Sequence, residues 1–444
     1  MAEQRDINYD DYVKRHRTGE ESAPADDVAV GPNLTPNNGG AIEGAKRLFG
    51  GDKVLWVIIT ALMVISLLVV YSSTAKMAYM PNSDSSTTAF LRKQLFMLVG
   101  CVVTIILVHR INSNVFRTWS KRIFWIAVGL TLAAATPMLG VRTNDAARWI
   151  NIFGFQFQPS EMLKVGTIMY LARVLADKQS TIRNIRIVPT MMFWRWGEPK
   201  QKRILKEGAL PLFFPIIVSC AVIIPAHTSS ALLVGALSLV MLFIGRVKWA
   251  DLFRIVGWAA AGFMMMMLLG LGRSETAEGR FSTWWNIWTE DRTEVMAKDL
   301  ADTERSMIAI HNGGVMGRGA GQSAVRVEMT HPESDYAFAF FVEEYGIVLS
   351  LILVALYVWI FFRAIEIFDR CPKKFPSMLS LGLAMMITSQ ALLHIMVTVN
   401  IFPETGQTLP LISRGGSSLL FTAISLGMIL SVSRQTEEGS HTTE

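Results

Sequence analysis

After a polar opening of about fifty residues, the chain alternates between apolar runs and polar joints. The runs fall at about 54–74, 94–109, 123–140, 161–176, 209–225, 231–245, 254–271, 346–362, 377–399 and 417–433. Each approaches the roughly 20 residues that a helix needs to cross the hydrocarbon core. The pattern predicts an all-α integral membrane protein with about ten transmembrane helices; several runs are short or carry a charge, so nine or eleven are the neighbouring counts. Residues 1–50 contain Pro-Asn-Leu-Thr-Pro-Asn-Asn-Gly-Gly over 32–40 and little to bury, which predicts a disordered tail. The membrane domain is then 51–435, followed by a short polar tail at 436–444.

Composition strengthens this picture. The 444 residues are 51% hydrophobic and only 18% charged, too little polar surface for a soluble chain of this size. The net charge of +6 sits largely in four joints: 110–122, 177–208, 246–253 and 363–376. The joint at 177–208 alone holds four Lys and four Arg. Cytoplasmic loops carry such an excess, so both termini are expected inside, and the basic balance need not mean nucleic acid. The opening has no cleavable signal, which leaves the first apolar run as an uncleaved one. Cys101, Cys220 and Cys371 fit neither a disulfide framework nor a zinc site.

The outer joints are then 75–93, 141–160, 226–230, 272–345 and 400–416. Loop 272–345, between the seventh and eighth helices, is too long for an idle connector. Its Phe281-Ser-Thr-Trp-Trp-Asn-Ile-Trp288 places Trp at helical spacing, predicting an interfacial helix whose Trp residues form an aromatic belt. Gly313-Gly314-Val-Met-Gly317-Arg-Gly319-Ala-Gly321 lacks the Gly-Lys-Ser/Thr ending of a nucleotide loop and reads as a compact turn. The seven His show no metal-binding spacing.

Three outer segments can carry chemistry. Ala147-Arg148-Trp149-Ile150 precedes Gln158-Pro159-Ser160-Glu161-Met-Leu-Lys164. Pro159 suits a first helical position, and Glu161 suits the positive end of the helix dipole. Glu161 and Lys164, three apart, share one helix face, either as a pair that holds the helix end or as a cation able to meet a phosphate. Second, Asp335 stands at the head of an aromatic run that enters the membrane. It is either a helix cap or a partly dry carboxylate suited to a general base. Glu344 follows on the same run, as a second acid or a helix support. Third, Asn400 to Ser418 combines prolines, glycines and paired Ser417 and Ser418 before an apolar run. That is a tight loop leading into a capped helix, whose start can bind anions.

These motifs, in this order, resemble the SEDS family (shape, elongation, division and sporulation) over about 52–435: Ala-Arg-Trp-Ile with Gln-Pro-Ser-Glu-x-x-Lys, the glycine-rich segment, Pro-Glu-x-x-Asp-x-x-Phe-Ala with Glu-Glu-x-Gly, and Leu-Pro-x-x-Ser-x-Gly-Gly-Ser-Ser. The resemblance implies a peptidoglycan glycosyltransferase that polymerises lipid II on the outer membrane face beside a class B penicillin-binding protein. The family's essential Asp falls on Asp335 and its Glu-x-x-Lys pair on Glu161 and Lys164. In that chemistry Asp335 is the expected base for the acceptor 4-hydroxyl. Arg148, Lys164 or a divalent cation such as Mg or Mn would face the departing pyrophosphate, with Glu344 and Ser417 as further substrate-binding residues and no nucleotide. Gly406-Gln-Thr-Leu-Pro-Leu-Ile-Ser and the long tail are closer to the division branch, FtsW, than to the elongation branch, RodA. Three departures stand out: Asp145 where the family has Gly, Arg414 where it has Tyr, and Ala226-His227-Thr-Ser229-Ser230 where it has Pro-Asp-x-Gly-Thr. Two other classes compete, a lipid II flippase and a scaffold for the crosslinking enzyme.

Overall fold

The computed structural model describes residues 49–78, 87–136, 140–143, 146–152, 155–184, 204–268, 274–289, 302–323, 325, 329, 334–413 and 415–441. The polar opening to residue 48, most of the basic joint at 177–208, and Asp145, His331, Glu333 and Arg414 lie outside them.

Among the described residues each apolar run forms a helix over most of its length: α1 (Lys53–Ala78), α2 (Thr87–His109), α3 (Ser113–Ala135), α4 (Pro159–Asn184), α5 (Leu210–Ile223), α6 (Thr228–Ile244), α7 (Trp249–Leu268), α10 (Ala337–Arg370), α11 (Lys374–Thr398) and α12 (Gly416–His441). Among the described residues α1, α2, α10, α11 and α12 are long and apolar enough to cross a membrane, and α5 and α6 are shorter apolar helices. The long outer loop contributes α8 (Ser274–Thr289) and α9 (Asp302–Gly313).

The helices carry two apolar faces. On α1, Leu55, Ile58, Ile59 and Leu62 are buried, while Val57, Val64, Leu68 and Tyr71 are exposed at helical spacing. In water the exposed stripe would be a liability; against lipid tails it costs nothing, so packing rather than hydrophobic burial holds such helices together. α2 packs on α12, α3 on α4, and α10 on α11, and α11 also lies against α4.

Three features depart from the sequence reading. First, a small antiparallel sheet, β1 (Gly140–Thr143), β2 (Ala146–Ile152) and β3 (Phe155–Phe157), feeds directly into α4. Second, α4 runs to Asn184, so the basic joint opens as helix rather than loop. Third, α10 begins at Ala337 instead of 346 and breaks at Gly346, where φ is 79° and ψ 174°. Only glycine adopts that backbone without strain.

Candidate functional site

Helix α4 starts at Pro159, whose fixed φ and missing N–H suit a first helical position. One turn on, Lys164 is fully buried. Its Nζ lies 2.8 Å from Glu161 Oε1 and donates to Gln390 Oε1 on α11 at 2.9 Å. A buried ammonium persists only when paired and hydrogen-bonded, and two of its three N–H groups are committed here. Gln390 passes the connection on, its Nε2 donating to the Thr408 carbonyl at 3.1 Å.

Thr408 belongs to the loop between α11 and α12, whose residues 409–413 are all buried. An irregular backbone inside a helical bundle needs side-chain partners for its carbonyls. It finds them in neighbouring helices: Tyr357 donates to the Pro410 carbonyl, Ser66 to the Ile412 carbonyl, and His394 Nδ1 lies 2.7 Å from the Gln407 carbonyl. Ser66 is itself fixed by Gln94 from α2. Leu411 takes a left-handed φ of 63°, an uncommon conformation for a bulky residue that these bonds hold in place.

The same loop reaches Asp335. Ser413 Oγ accepts from the Leu409 N–H and donates to the Ser334 carbonyl, each at 2.8 Å. Asp335 follows, half-buried, and Tyr336 rather than Asp335 takes the cap position of α10. The Tyr336 phenol lies 3.2 Å from Thr303 Oγ1 on α9. Burial raises the pKa of this phenol well above the ordinary tyrosine value, and the carboxylates of Glu404, Asp302 and Asp335 push the same way, against the Thr303 hydrogen bond. The phenol is therefore neutral at physiological pH. One buried loop thus ties the Glu161–Lys164 pair to the segment bearing Asp335.

Glu343 and Glu344 are buried. Ser323 donates to Glu343, with Arg318 3.9 Å away, and Ser72 of α1 donates to Glu344. Their carbonyls accept from the Arg318 and Gly319 N–H groups at 2.9 Å, and the Ile347 N–H donates to the Gly314 carbonyl at 3.0 Å. The glycine-rich segment is the compact turn expected, docked on the break in α10. A Cβ on Gly317 would meet the Glu344 carbonyl oxygen at 2.3 Å, and one on Gly346 the Val315 carbonyl oxygen at 2.3 Å.

Arg148 lies on β2, in the sheet that leads into α4. Ser417, in the first turn of α12, is buried with its hydroxyl unpartnered among the described residues; Ser418 Oγ lies 2.8 Å from Thr408 Oγ1. His227, where the family has Asp, caps α6: its Nδ1 accepts from the Ser230 N–H at 3.3 Å. Nε2 therefore carries the proton and faces the Gly406 carbonyl at 3.4 Å, while Gln407 Nε2 donates to Ser230 Oγ at 2.7 Å. An imidazole can fill the acceptor role of a capping carboxylate and add a donor toward the loop. Among the described residues no three His, Cys, Asp or Glu side chains are grouped as metal ligands.

Sequence reasoning missed Gln390 and gave no role to Tyr336 or Asn400, although both lie in segments it singled out; all three join the site through contacts between distant parts of the chain. It also placed all Trp residues of α8 in one belt. Trp285 and Trp288 are exposed, but Trp284 turns inward and donates from Nε1 to the Asn400 carbonyl at 3.0 Å.

Known proteins resemble this chain in sequence and in fold. The chain is 29% identical over 388 residues to "Stage V sporulation protein E" of Bacillus subtilis, covering 86% of this chain and 97% of that one. It is 26% identical to "Probable peptidoglycan glycosyltransferase FtsW" of Trichlorobacter lovleyi, over 87% of this chain and 94% of the relative. Its fold matches a chain in the structure titled "Structural coordination of polymerization and crosslinking by a peptidoglycan synthase complex", with a TM-score of 0.61, 19% identity and coverage of 87% and 98%. The family model described as "Cell cycle protein", which joins FtsW, RodA and SpoVE, matches residues 52–438. With nearly the whole membrane domain inside that match, the chain is a membrane protein of the SEDS family, which unites FtsW, RodA and SpoVE.

Proposed function

We propose that this protein is a peptidoglycan glycosyltransferase that polymerises lipid II on the outer face of the cytoplasmic membrane, with Asp335 as general base. The observation that carries this reading is the half-buried Asp335, linked through Ser334, Ser413, Thr408 and Gln390 to the buried Glu161–Lys164 pair. A carboxylate at the edge of the bundle is partly shielded from water yet open to a sugar hydroxyl. It takes the proton of the acceptor 4-hydroxyl as that oxygen bonds to the donor's anomeric carbon. The bond from that carbon to the pyrophosphate oxygen breaks, and the lipid pyrophosphate leaves with the electron pair.

Leaving-group charge calls for a cation. Arg148, on the strand β2, and Lys164 are the candidates; the Lys164 ammonium has one N–H not committed to Glu161 or Gln390. Ser417 at the start of α12 and Glu344 beside the α10 break are further substrate-side candidates. A divalent cation is proposed to arrive on the pyrophosphate of the substrate, because the described residues offer no three-ligand site.

The FtsW names of several relatives and the loop Gly406–Ser413 favour a role in division at the septum, and the basic joints favour both termini in the cytoplasm. A structural neighbour belongs to a complex of polymerization and crosslinking, which supports a class B penicillin-binding protein as partner. The test uses purified full-length protein with its transpeptidase and lipid II. Wild type should yield glycan strands and Asp335→Asn none; polymer from both removes Asp335 from the chemistry. Polymer from neither, with folded protein, leaves the flippase and scaffold classes standing.

A further inference from the structure

The glycine-rich turn carries two apolar side chains at its tip, Val315 and Met316, which are 65% and 84% exposed. Met316 is the most exposed large apolar side chain among the described residues. Turn geometry does not ask for this pair. Tight turns are built from Gly, Asn, Asp, Ser and Pro, and Gly314, Gly317, Gly319 and Gly321 already supply left-handed backbone, with φ from 53° to 99°. A single exposed apolar residue is ordinary, but the level at which the turn holds this pair is not.

Backbone contacts fix that level. The Ile347 N–H donates to the Gly314 carbonyl at 3.0 Å, and the Arg318 and Gly319 N–H groups donate to the Glu343 and Glu344 carbonyls at 2.9 Å. A Cβ on Gly346 would lie 2.3 Å from the Val315 carbonyl oxygen and 2.6 Å from the Met316 carbonyl carbon. The tip therefore rests against α10 at residues 346–347. The surroundings of α10 change at the same point. From Ala337 to Gly346 every residue but the half-buried Tyr345 is buried. Beyond the break Ile347, Val348, Leu349, Leu351 and Ile352 are exposed.

α10 is long and apolar enough to cross a membrane, so this exposed apolar stripe is its lipid-facing surface. From Ile347 to Phe362, just before Arg363, the helix rises about 23 Å. The hydrocarbon core is roughly 30 Å thick. With Arg363 at one edge, the core extends about one helical turn past Ile347, and the tip falls within it.

We infer that the glycine-rich turn is a membrane anchor, whose Val315 and Met316 side chains insert among the acyl chains of the outer leaflet. Lipid is the occupant because the tip continues the lipid-facing stripe of α10. Two side chains are also far too small a patch for a stable protein interface, which buries about 800 Å² on each partner. They suffice for an anchor, since burying either one favours the inserted form about tenfold. Through its bonds to Glu343 and Glu344, the turn would hold the α10 break at a fixed depth. The inference needs α10 to cross the membrane and does not depend on the glycosyltransferase reading.

The test uses full-length protein in nanodiscs of phosphatidylethanolamine and phosphatidylglycerol. Cys220→Ser and Cys371→Ser remove the two cysteines that are not buried, and Met316→Cys then carries a nitroxide. Its collisions with oxygen, which concentrates in lipid, are compared with those of a water-soluble nickel chelate. Leu351→Cys is the lipid reference, and Glu438→Cys, exposed near the end of α12, is the water reference. The label at 316 should favour oxygen as at 351 and meet the chelate about tenfold less often than at 438. A label as open to the chelate as at 438 overturns the anchor. Shielding from both reagents overturns it as well, because protein then covers the tip. Since the nitroxide is itself apolar, the wild-type chain provides an independent reading. Oxidation of Met316 to its sulfoxide by hydrogen peroxide, followed by mass spectrometry, should be about tenfold slower in nanodiscs than in the urea-unfolded chain. Equal rates overturn the anchor without any substitution.

Discussion

Lys164 shows how much one buried charge constrains its surroundings. With Glu161 at 2.8 Å and Gln390 at 2.9 Å, the ammonium is compensated inside the bundle. Removing one partner leaves the other uncompensated, a loss of about 3–5 kcal/mol in comparable cases. Glu161→Ala should therefore lower the thermal unfolding temperature sharply, and Glu161→Ala with Lys164→Met should recover much of it. Equal unfolding temperatures for the single and double variants would contradict this account. His227 predicts a milder response. His227→Ala, which removes the α6 cap, should cost about 1 kcal/mol, whereas His227→Asp restores a capping acceptor and should stay near wild type in the same measurement. Tyr336 gives a pH dependence with a definite sign. Its folded pKa is raised above the ordinary 10.0 of the unfolded chain, so its contribution is intact below that value. Stability should fall as pH rises beyond 10.0, because the unfolded state releases the proton first. Tyr336→Phe should flatten that alkaline limb of the unfolding curve.

At the scale of elements, the join between the glycine-rich turn and α10 is a backbone-to-backbone contact. Gly346→Ala would force a side chain into left-handed backbone and onto the Val315 carbonyl oxygen. Strain of a few kcal/mol is expected, enough to free the turn from the helix break. Limited proteolysis around 313–321 should then speed up markedly in Gly346→Ala and stay slow in Gly314→Ala. Gly314 also has a positive φ, of 53°, but open space around its Cβ. The helices themselves were readable because hydropathy is local: each apolar run announces its own helix. The break at Gly346 was not, since a glycine in an apolar run looks the same whether the helix continues or turns. Nor was the sheet at 140–157, whose strands pair backbone to backbone. Asp335 and the Glu161–Lys164 pair were visible as ionisable groups bordering apolar runs. Trp284 against Asn400 was not, because 116 residues separate them.

Across the whole molecule, the polar machinery divides between two ends. The Asp335 loop and the glycine-rich turn gather at the end expected to face outward. At the other end a structural clamp closes the bundle. Asp52 caps α1 by accepting from the Val54 and Leu55 N–H groups, and it accepts from Arg363 of α10 at 2.7 Å. The Asp52 N–H donates to Ser433 of α12, so three helices meet on one buried residue, two of them through its carboxylate. Arg363 is about one-fifth exposed and also pairs with Glu366, which softens the loss when it is removed. Arg363→Met should cost on the order of 2 kcal/mol, between the values for surface and buried pairs. Because the clamp lies at the opposite end from Asp335, the surviving folded protein should polymerise lipid II at the wild-type rate. Thermal unfolding and specific activity, measured on the same detergent preparation, check both halves. A large fall in specific activity with unchanged unfolding temperature would show that the two ends are coupled rather than separate.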